Sequence, residues 1–287
     1  MDEYFLKHNR KKFSVKKGLK IFSGLAIGYT FWFLLIVLSL RWINPGFTSF
    51  TLQEDWKTLN AERYSLRSYW IDYDQLPENI KWAVVASEDQ RFWSHPGLDF
   101  DAIKNALEEM ENGERVRGAS TISQQVSKNL FLSSRKSYLR KGIEAGITFT
   151  IEALWTKERI LEVYLNIVEF GPGVYGIGKA SEHFFSKPAI ELTNDEAARM
   201  AAVLPNPKRM KVEPPTPYVA ERKDWILRNM MQLSGIAYLK EKKSSEENVA
   251  SSFSLSRSNE ISYETLKPKM WVPVEDTAFF KSRLKLD

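Results

Sequence analysis

The stretch KERILEVYLNIVEFG, from Lys157 to Gly171, indicates the helical character of this 287-residue chain. Its apolar residues recur at positions 160, 161, 164, 165 and 168, which is the spacing of one helix face. This spacing predicts a helix from Glu158 to Phe170 with a buried stripe. Similar patterns occur on both sides of it, so we expect a mainly α domain that requires few strands.

The neighbouring segments carry their own helix start and stop signals. Asp99 to Asn112 is amphipathic and is followed by a glycine. Thr121 with Gln124, and Thr193 with Glu196, have the spacing of capping boxes that begin helices. Further helices are predicted from Pro77 to Glu88, from Tyr138 to about Trp155, from Thr193 to Pro205 and from Tyr218 to Ser234.

The net charge of +5 is confined to the N-terminus. Residues 1–20 hold seven Lys and Arg against two acids, and the rest of the chain is balanced. This distribution argues against nucleic-acid binding, because the folded domain itself has no basic excess. Residues 21–40 contain no charge, and a helix of that length spans about 30 Å, the thickness of a bilayer core. We therefore expect a single-pass anchor with a cytoplasmic N-terminus and an exported domain.

A cleaved signal peptide is the alternative to an anchor. The apolar stretch is long for a signal peptide, and Leu38 to Trp42 lacks a small-x-small cleavage site. The chain contains no cysteine, which excludes disulfides, a thiolate nucleophile and Cys-ligated metal sites.

The decapeptide EDQRFWSHPG, from Glu88 to Gly97, is the first candidate for a chemical role. Glu88 lies at a predicted helix end beside Asp89, and both the helix dipole and the second carboxylate raise the pKa of Glu88. A raised pKa suits a general base, whereas a solvated Glu at a helix end is the simpler alternative. His95 is expected to be a hydrogen bonder in the loop. No His metal cluster is expected, because one of the three histidines, His8, lies in the expected cytoplasmic leader.

A basic run leads into a second acid, Glu144. Arg140 and Glu144 are four residues apart on a predicted helix and share one face, with Lys136 one turn earlier. Such a face can bind phosphate, although the spacing alone favours a surface ion pair between Arg140 and Glu144 worth a few tenths of a kcal/mol. The run consists of Lys128, Arg135, Lys136, Arg140 and Lys141.

Two further segments are ambiguous. The polar residues Ser120, Thr121, Gln124 and Gln125 either begin a helix or bind a sugar. Gly171 to Gly176 matches the G-x-G-x-x-G pattern of dinucleotide-binding loops, but a helical segment precedes it and no βαβ unit surrounds it. We interpret it as a Gly-rich turn between helices.

From about Leu76 to Gly235 the chain resembles the family 51 peptidoglycan glycosyltransferases. The resemblance rests on five motifs in order: EDQRFWSHPG (88–97), GASTISQQVSKN (118–129), RKGIE (140–144), KERILEVYLNIVEFG (157–171) and EAARMAAVLPNPKRM (196–210). It implies a mainly α, lysozyme-like glycosyltransferase domain with one N-terminal transmembrane helix. The expected segments are a basic cytoplasmic leader (1–20), the transmembrane helix (21–40), a connector (41–73), the glycosyltransferase domain (74–239) and a polar, disordered tail (240–287).

The resemblance also implies a substrate and roles. The substrate is lipid II, which is added to a growing glycan chain with inversion and loss of undecaprenyl pyrophosphate. Glu88 is then the general base, and Glu144 acts on the pyrophosphate side, directly or through Mg²⁺ or Mn²⁺. The expected leaving-group cations are Lys128, Lys136, Arg140 and Lys141, and the expected donor-cleft residues are Ser120, Thr121, Gln124, Gln125 and Asn129. The expected partners are the lipid bilayer and other cell-wall synthesis or division proteins.

The chain departs from the family motif at one position, and two other functions are alternatives to glycosyl transfer. The family often has Arg where Lys136 stands, so either Arg135 or Lys136 can be the phosphate contact. A lytic muramidase would use the same fold and two carboxylates, but it does not need a cationic site for pyrophosphate. A catalytically silent, membrane-anchored partner would need neither acid. A transpeptidase domain is not expected, because no KTG motif occurs and 52 residues follow Gly235.

Overall fold

The computed structural model describes residues 15–58, 66–113, 118, 120–133, 135 and 137–235. Lys136, the first 14 residues and the predicted tail lie outside the described residues. The described helices are α1 (Val15–Ser39), α2 (Ser49–Thr58), α3 (Glu78–Glu88), α4 (Phe100–Glu111), α5 (Ile122–Phe131), α6 (Tyr138–Leu154), α7 (Lys157–Ile167), α8 (Ile177–Phe185), α9 (Asn194–Ala202) and α10 (217–235). Two short antiparallel strands, β1 (Glu169–Gly171) and β2 (Val174–Tyr175), form a hairpin.

Helix α7 is the centre of the core. Its apolar stripe is fully buried, including Ile160, Leu161 and Leu165. Helix α5 packs against both α6 and α7, and α3 packs against α9. The period read from the sequence therefore identifies the most buried helix, because apolar burial is the main favourable contribution to folding.

Most predicted helices are confirmed, and their capping explains why. Thr121 with Gln124 forms a complete capping box at α5, and Thr193 with Glu196 forms another at α9. The Asp99 side chain accepts from the backbone N–H of residue 102 and begins α4. Pro77 precedes α3 as its N-cap and is not in the first turn as predicted.

The end of α7 differs from the prediction. The helix stops at Ile167, three residues before Phe170, because the chain enters the β1–β2 hairpin. Gly171 to Gly176 thus contains the turn and the second strand of this hairpin between α7 and α8. The predicted Gly-rich turn between helices is confirmed, with two short strands flanking it, and the segment is not a dinucleotide loop. Gly176 has φ +80°, and a Cβ on it would lie 2.6 Å from the carbonyl oxygen of Asn166. Only glycine fits there without displacing the backbone.

Helix α1 begins at Val15, earlier than the predicted start at residue 21. Among the described residues, its segment Gly18–Ser39 is the one that is long and apolar enough to cross a membrane. The end of α1 is attached to the domain. The Trp155 indole donates to Val37 O at 2.8 Å, and the Arg159 guanidinium donates to Leu40 O at 2.9 Å. A cation at this position complements the negative end of the α1 dipole.

Candidate active site

Glu88 is the last residue of α3 and is partly buried. Its carboxylate accepts a 2.8 Å hydrogen bond from Gln125 Nε2, one turn into α5. The Tyr164 hydroxyl on α7 donates to Gln125 Oε1 at 3.1 Å. Because the hydroxyl occupies the amide oxygen, the amide NH₂ is directed at Glu88. Three helices thus position one carboxylate.

The pKa of Glu88 is raised above its ordinary value, as the sequence predicted. The main cause is burial, which disfavours the charged carboxylate. Hydrogen bonds from Gln125 and Ser87 and the positive charge of Arg222 act in the opposite direction. Asp89 also raises the pKa of Glu88, as predicted, but its effect is smaller than that of burial.

Asp89 has a structural role of its own. Its carboxylate accepts from the backbone N–H of Ile122, at the start of α5, at 3.0 Å. It also accepts from His95 Nε2 at 2.9 Å, while His95 Nδ1 accepts from the N–H of Gly97. The bond from Gly97 leaves the imidazole proton on Nε2, where it can be donated to Asp89. His95 therefore makes the loop contacts predicted for it.

The end of the decapeptide, at His95 and Gly97, is held by close packing and by hydrogen bonds. Gly97 has φ +94°, and a Cβ there would lie 2.8 Å from Glu152 Cγ and 2.9 Å from Thr148 Cγ2. The Thr121 hydroxyl donates to Gly97 O at 2.6 Å. Lys157 Nζ donates to His95 O at 2.8 Å and pairs with Glu152 at 2.7 Å. These contacts tie the loop to α5, α6 and α7.

Glu144 is almost completely buried within α6, with a relative exposure of 2%. Arg140 Nη1 pairs with Glu144 Oε2 at 2.8 Å, and Lys141 Nζ pairs with Oε1. The Arg140 side chain is 18% exposed, so this is not the surface ion pair considered from the spacing. The two cations compensate a carboxylate that could not otherwise be buried.

Helix α5 contacts both the Glu88 carboxylate and the helix that carries Glu144. Gln125 binds Glu88, and two residues later the Ser127 hydroxyl lies 2.9 Å from the Thr148 hydroxyl of α6. Thr148 in turn donates to Glu144 O at 2.7 Å. The structure therefore places the Glu88 carboxylate and the Glu144 helix against the same ten-residue helix.

The remaining predicted residues differ in their surroundings. Thr121 and Gln124 are buried and serve the capping box, so a sugar contact from them stays a prediction. Ser120 is exposed, and Asn129 is partly exposed. Lys128 Nζ lies 5.3 Å from the centre of the Phe50 ring on α2. Lys136 lies outside the described residues.

The surroundings of Glu144 do not fit a divalent metal ion. Both of its carboxylate oxygens already accept from cationic side chains. In the part of the chain that the structure describes, no group of three or more His, Asp or Glu side chains could hold a metal.

Two residues near Glu88 were not predicted from the sequence. Tyr164 is fully buried, and its pKa is raised well above 10.0 by burial and by the neighbouring Glu88 and Asp89. Arg222, on α10, donates to Ser87 O at 3.3 Å. Its Nε is buried and has no hydrogen-bond partner among the described residues. The helical spacing of Tyr164 indicated only a core position.

Comparison with known proteins identifies the fold family. The model of the family described as Transglycosylase matches residues 55–231. A biosynthetic peptidoglycan transglycosylase of Shewanella oneidensis is 46% identical over 226 residues, covering 79% of this chain and 97% of the relative. Proteins of the same name from Aeromonas hydrophila and Chromohalobacter salexigens are 50% and 44% identical, covering 70% and 78% of this chain and 85% and 97% of the relatives. The chain therefore belongs to the transglycosylase family.

Proposed function

We propose that this chain is a monofunctional peptidoglycan glycosyltransferase that polymerises lipid II into β-1,4 glycan strands. The transglycosylase match and the names of the relatives support the coarse activity, synthesis of peptidoglycan glycan strands. The observation that carries the finer proposal is the contact of one helix, α5, with both the Glu88 carboxylate and the helix of Glu144. The domain would be held outside the cytoplasmic membrane by α1, with the N-terminus inside.

Glu88 is proposed as the general base. Its ionised carboxylate takes the proton from the acceptor sugar hydroxyl while that oxygen bonds to the anomeric carbon of the donor. The bond between this carbon and the pyrophosphate oxygen breaks on the opposite face, so the configuration inverts. Burial and a raised pKa suit a carboxylate that must accept a proton near neutral pH.

The cationic residues are proposed to stabilise the leaving pyrophosphate. Arg140 and Lys141 flank the buried Glu144, which holds both in place as a positioning residue. Lys128, on α5, and the predicted contact Lys136 would add charge. Fixed cations stabilise the charge that develops on a departing group, and they need little reorganisation during the reaction. Asn129, Ser120 and the exposed part of Gln125 are then candidates for sugar contacts.

Incubation of the purified full-length protein with lipid II tests this function. We expect polymeric glycan and free undecaprenyl pyrophosphate. A muramidase would instead release new reducing ends from preformed glycan strands and would leave lipid II intact. A silent membrane-anchored partner would do neither, so these two assays separate the three functions.

A further inference from the structure

A cavity of about 980 Å³ opens beside the end of α1. We call it the α1–α2 cavity, because Ile36 and Leu40 of α1 and Leu52 of α2 line it, together with Leu130 and Phe131 at the end of α5. Its volume lies at the upper end of the roughly 300–1,000 Å³ range of small-molecule sites. The described residues proposed to act as base or to hold the pyrophosphate, Glu88, Lys128, Arg140, Lys141 and Glu144, do not line this cavity.

The cavity lies where the membrane-spanning segment ends. Ile36 belongs to the last turn of the apolar segment Gly18–Ser39, and Leu40 follows it directly. The end of α1 also contacts α5, because the Phe33 and Phe131 rings meet edge to face with their centres 5.4 Å apart. If α1 spans the bilayer, the cavity is level with the surface of its hydrocarbon core, within reach of a lipid chain.

Cations border this apolar space. Arg67 and Arg135 contribute to its lining. Lys128 lies on α5 less than one turn before Leu130, and its Nζ is near the ring of Phe50, two residues before Leu52 on α2. The cavity therefore adjoins Lys128, one of the proposed pyrophosphate cations. A molecule with a long apolar chain joined to an anionic group matches this combination.

We propose that the α1–α2 cavity binds the polyprenyl chain of the lipid-linked donor, next to its pyrophosphate. This inference rests on the proposed function and adds a chain-binding site to it. An ordinary bilayer lipid is the other possible source of a chain. The donor is favoured because Lys128, one of the cations proposed to hold the leaving group, lies next to the cavity, and because Arg135, which lines it, is one of the two candidate phosphate contacts.

Leu52→Glu tests the site, with Leu107→Glu as its matched control. Both leucines lie on helices and are similarly exposed, at 46% and 51%, but Leu107 is on α4, away from the cavity. A charge in the cavity disfavours an apolar chain. We expect Leu52→Glu to raise KM about tenfold for a donor with a long polyprenyl chain. In Leu52→Glu, the KM for a donor with a ten-carbon chain should not change. In Leu107→Glu, the KM values for the long-chain and the ten-carbon donors should both equal those of the wild type. Equal KM values for Leu52→Glu and wild type with the long chain would overturn the proposal.

A direct measurement does not depend on catalysis. A benzophenone-tagged geranylgeranyl pyrophosphate is photo-crosslinked to the full chain in nanodiscs, and the adducts are mapped by mass spectrometry. We expect adducts in residues 36–53 and 130–133, displaced by unlabelled polyprenyl pyrophosphate but not by phosphatidylglycerol. Adducts elsewhere, or equal displacement by phosphatidylglycerol, would contradict the donor site. If wild-type protein polymerises lipid II but labels elsewhere, only the cavity proposal fails. If it does not polymerise lipid II, the proposed function fails.

Discussion

Gln125 donates its side-chain amide to Glu88 across 2.8 Å, which joins the start of α5 to the end of α3. The two residues are 37 positions apart in the sequence. This bond favours the ionised form of a carboxylate whose burial favours the neutral form. The balance between the two effects sets the pH at which the proposed base is available.

Tyr164→Phe should shift the protonation equilibrium of Glu88 toward its neutral form. Without the hydroxyl, Gln125 Oε1 loses its donor, so the amide can rotate away from Glu88. The pKa of Glu88 should then rise further, and the acidic limb of the pH–rate profile should shift to higher pH. We expect kcat on this acidic limb to fall by up to about tenfold, the scale of one hydrogen bond to a charged group. Steady-state polymerisation assays across pH measure both effects.

Tyr218→Phe is the control for this change. Tyr218 is exposed on α10, and its substitution should leave the pH–rate profile unchanged. An unshifted acidic limb in Tyr164→Phe would refute the proposed link from Tyr164 through Gln125.

Glu88→Gln should change the pH dependence of stability. The pKa of Glu88 in the folded chain is above its ordinary value of 4.5, so between these two values the folded state binds more protons than the unfolded state. The free energy of unfolding of the wild type therefore falls as pH rises through this window and then levels off. A glutamine does not ionise, so the stability of Glu88→Gln relative to wild type should increase over the same window. Chemical denaturation at several pH values measures this difference.

Glu221→Gln, at an exposed position on α10, provides the comparison. We expect its stability relative to wild type to change with pH less than that of Glu88→Gln, because Glu221 is exposed to solvent. If both variants show the same pH dependence of stability, burial does not raise the pKa of Glu88.

Gly97→Ala should destabilise the fold. The alanine would need φ +94°, and its Cβ would meet Thr148 and Glu152 below 3 Å. The strain alone costs about 1–3 kcal/mol, and the clash adds to it. Gly146→Ala is the matched control, because Gly146 lies within α6 with open space around it. That change should stabilise the protein by about 0.5–1 kcal/mol. Thermal unfolding measures both, and equal melting temperatures would contradict the packing described for Gly97.

Arg140→Ala should cost more stability than Lys141→Ala. Both cations pair with the buried Glu144, but the Arg140 side chain is 18% exposed and that of Lys141 is 48% exposed. Each variant removes one positive charge, but water screens the more buried ion pair less, so its loss costs more, and we expect about 1–3 kcal/mol for Arg140→Ala. Urea denaturation at pH 7 tests the order. The reverse order would show that Lys141 is the main counter-ion of Glu144.

Local signals in the sequence predicted much of the helical fold. The capping boxes at Thr121 and Thr193 and the cap at Asp99 are local hydrogen-bond patterns, so their residue spacing is enough to find them. The mainly α, lysozyme-like class is confirmed together with the family match. Helix α2 was missed within the predicted connector, because its few apolar positions do not form a clear stripe.

The site was predicted only in part, because its contacts cross the sequence. The raised pKa of Glu88 was predicted in direction, but its main cause is burial, which no neighbouring residue reveals. Tyr164 was predicted only as a core residue, because a tyrosine and a phenylalanine at this position fit the apolar spacing of the helix equally well. Its hydrogen bond depends on how α5 packs against α7.

The central claim is that Glu88 is the general base. It is tested by comparing the rate of lipid II polymerisation by Glu88→Gln with the rates of the wild type and of Glu221→Gln. Loss of a general base typically costs about 10²- to 10⁴-fold in rate. We predict a loss of that size in Glu88→Gln, with the folded state preserved, and a wild-type rate in Glu221→Gln. A Glu88→Gln enzyme that polymerises lipid II within about twofold of the wild-type rate would contradict the account, because a true base is expected to contribute far more.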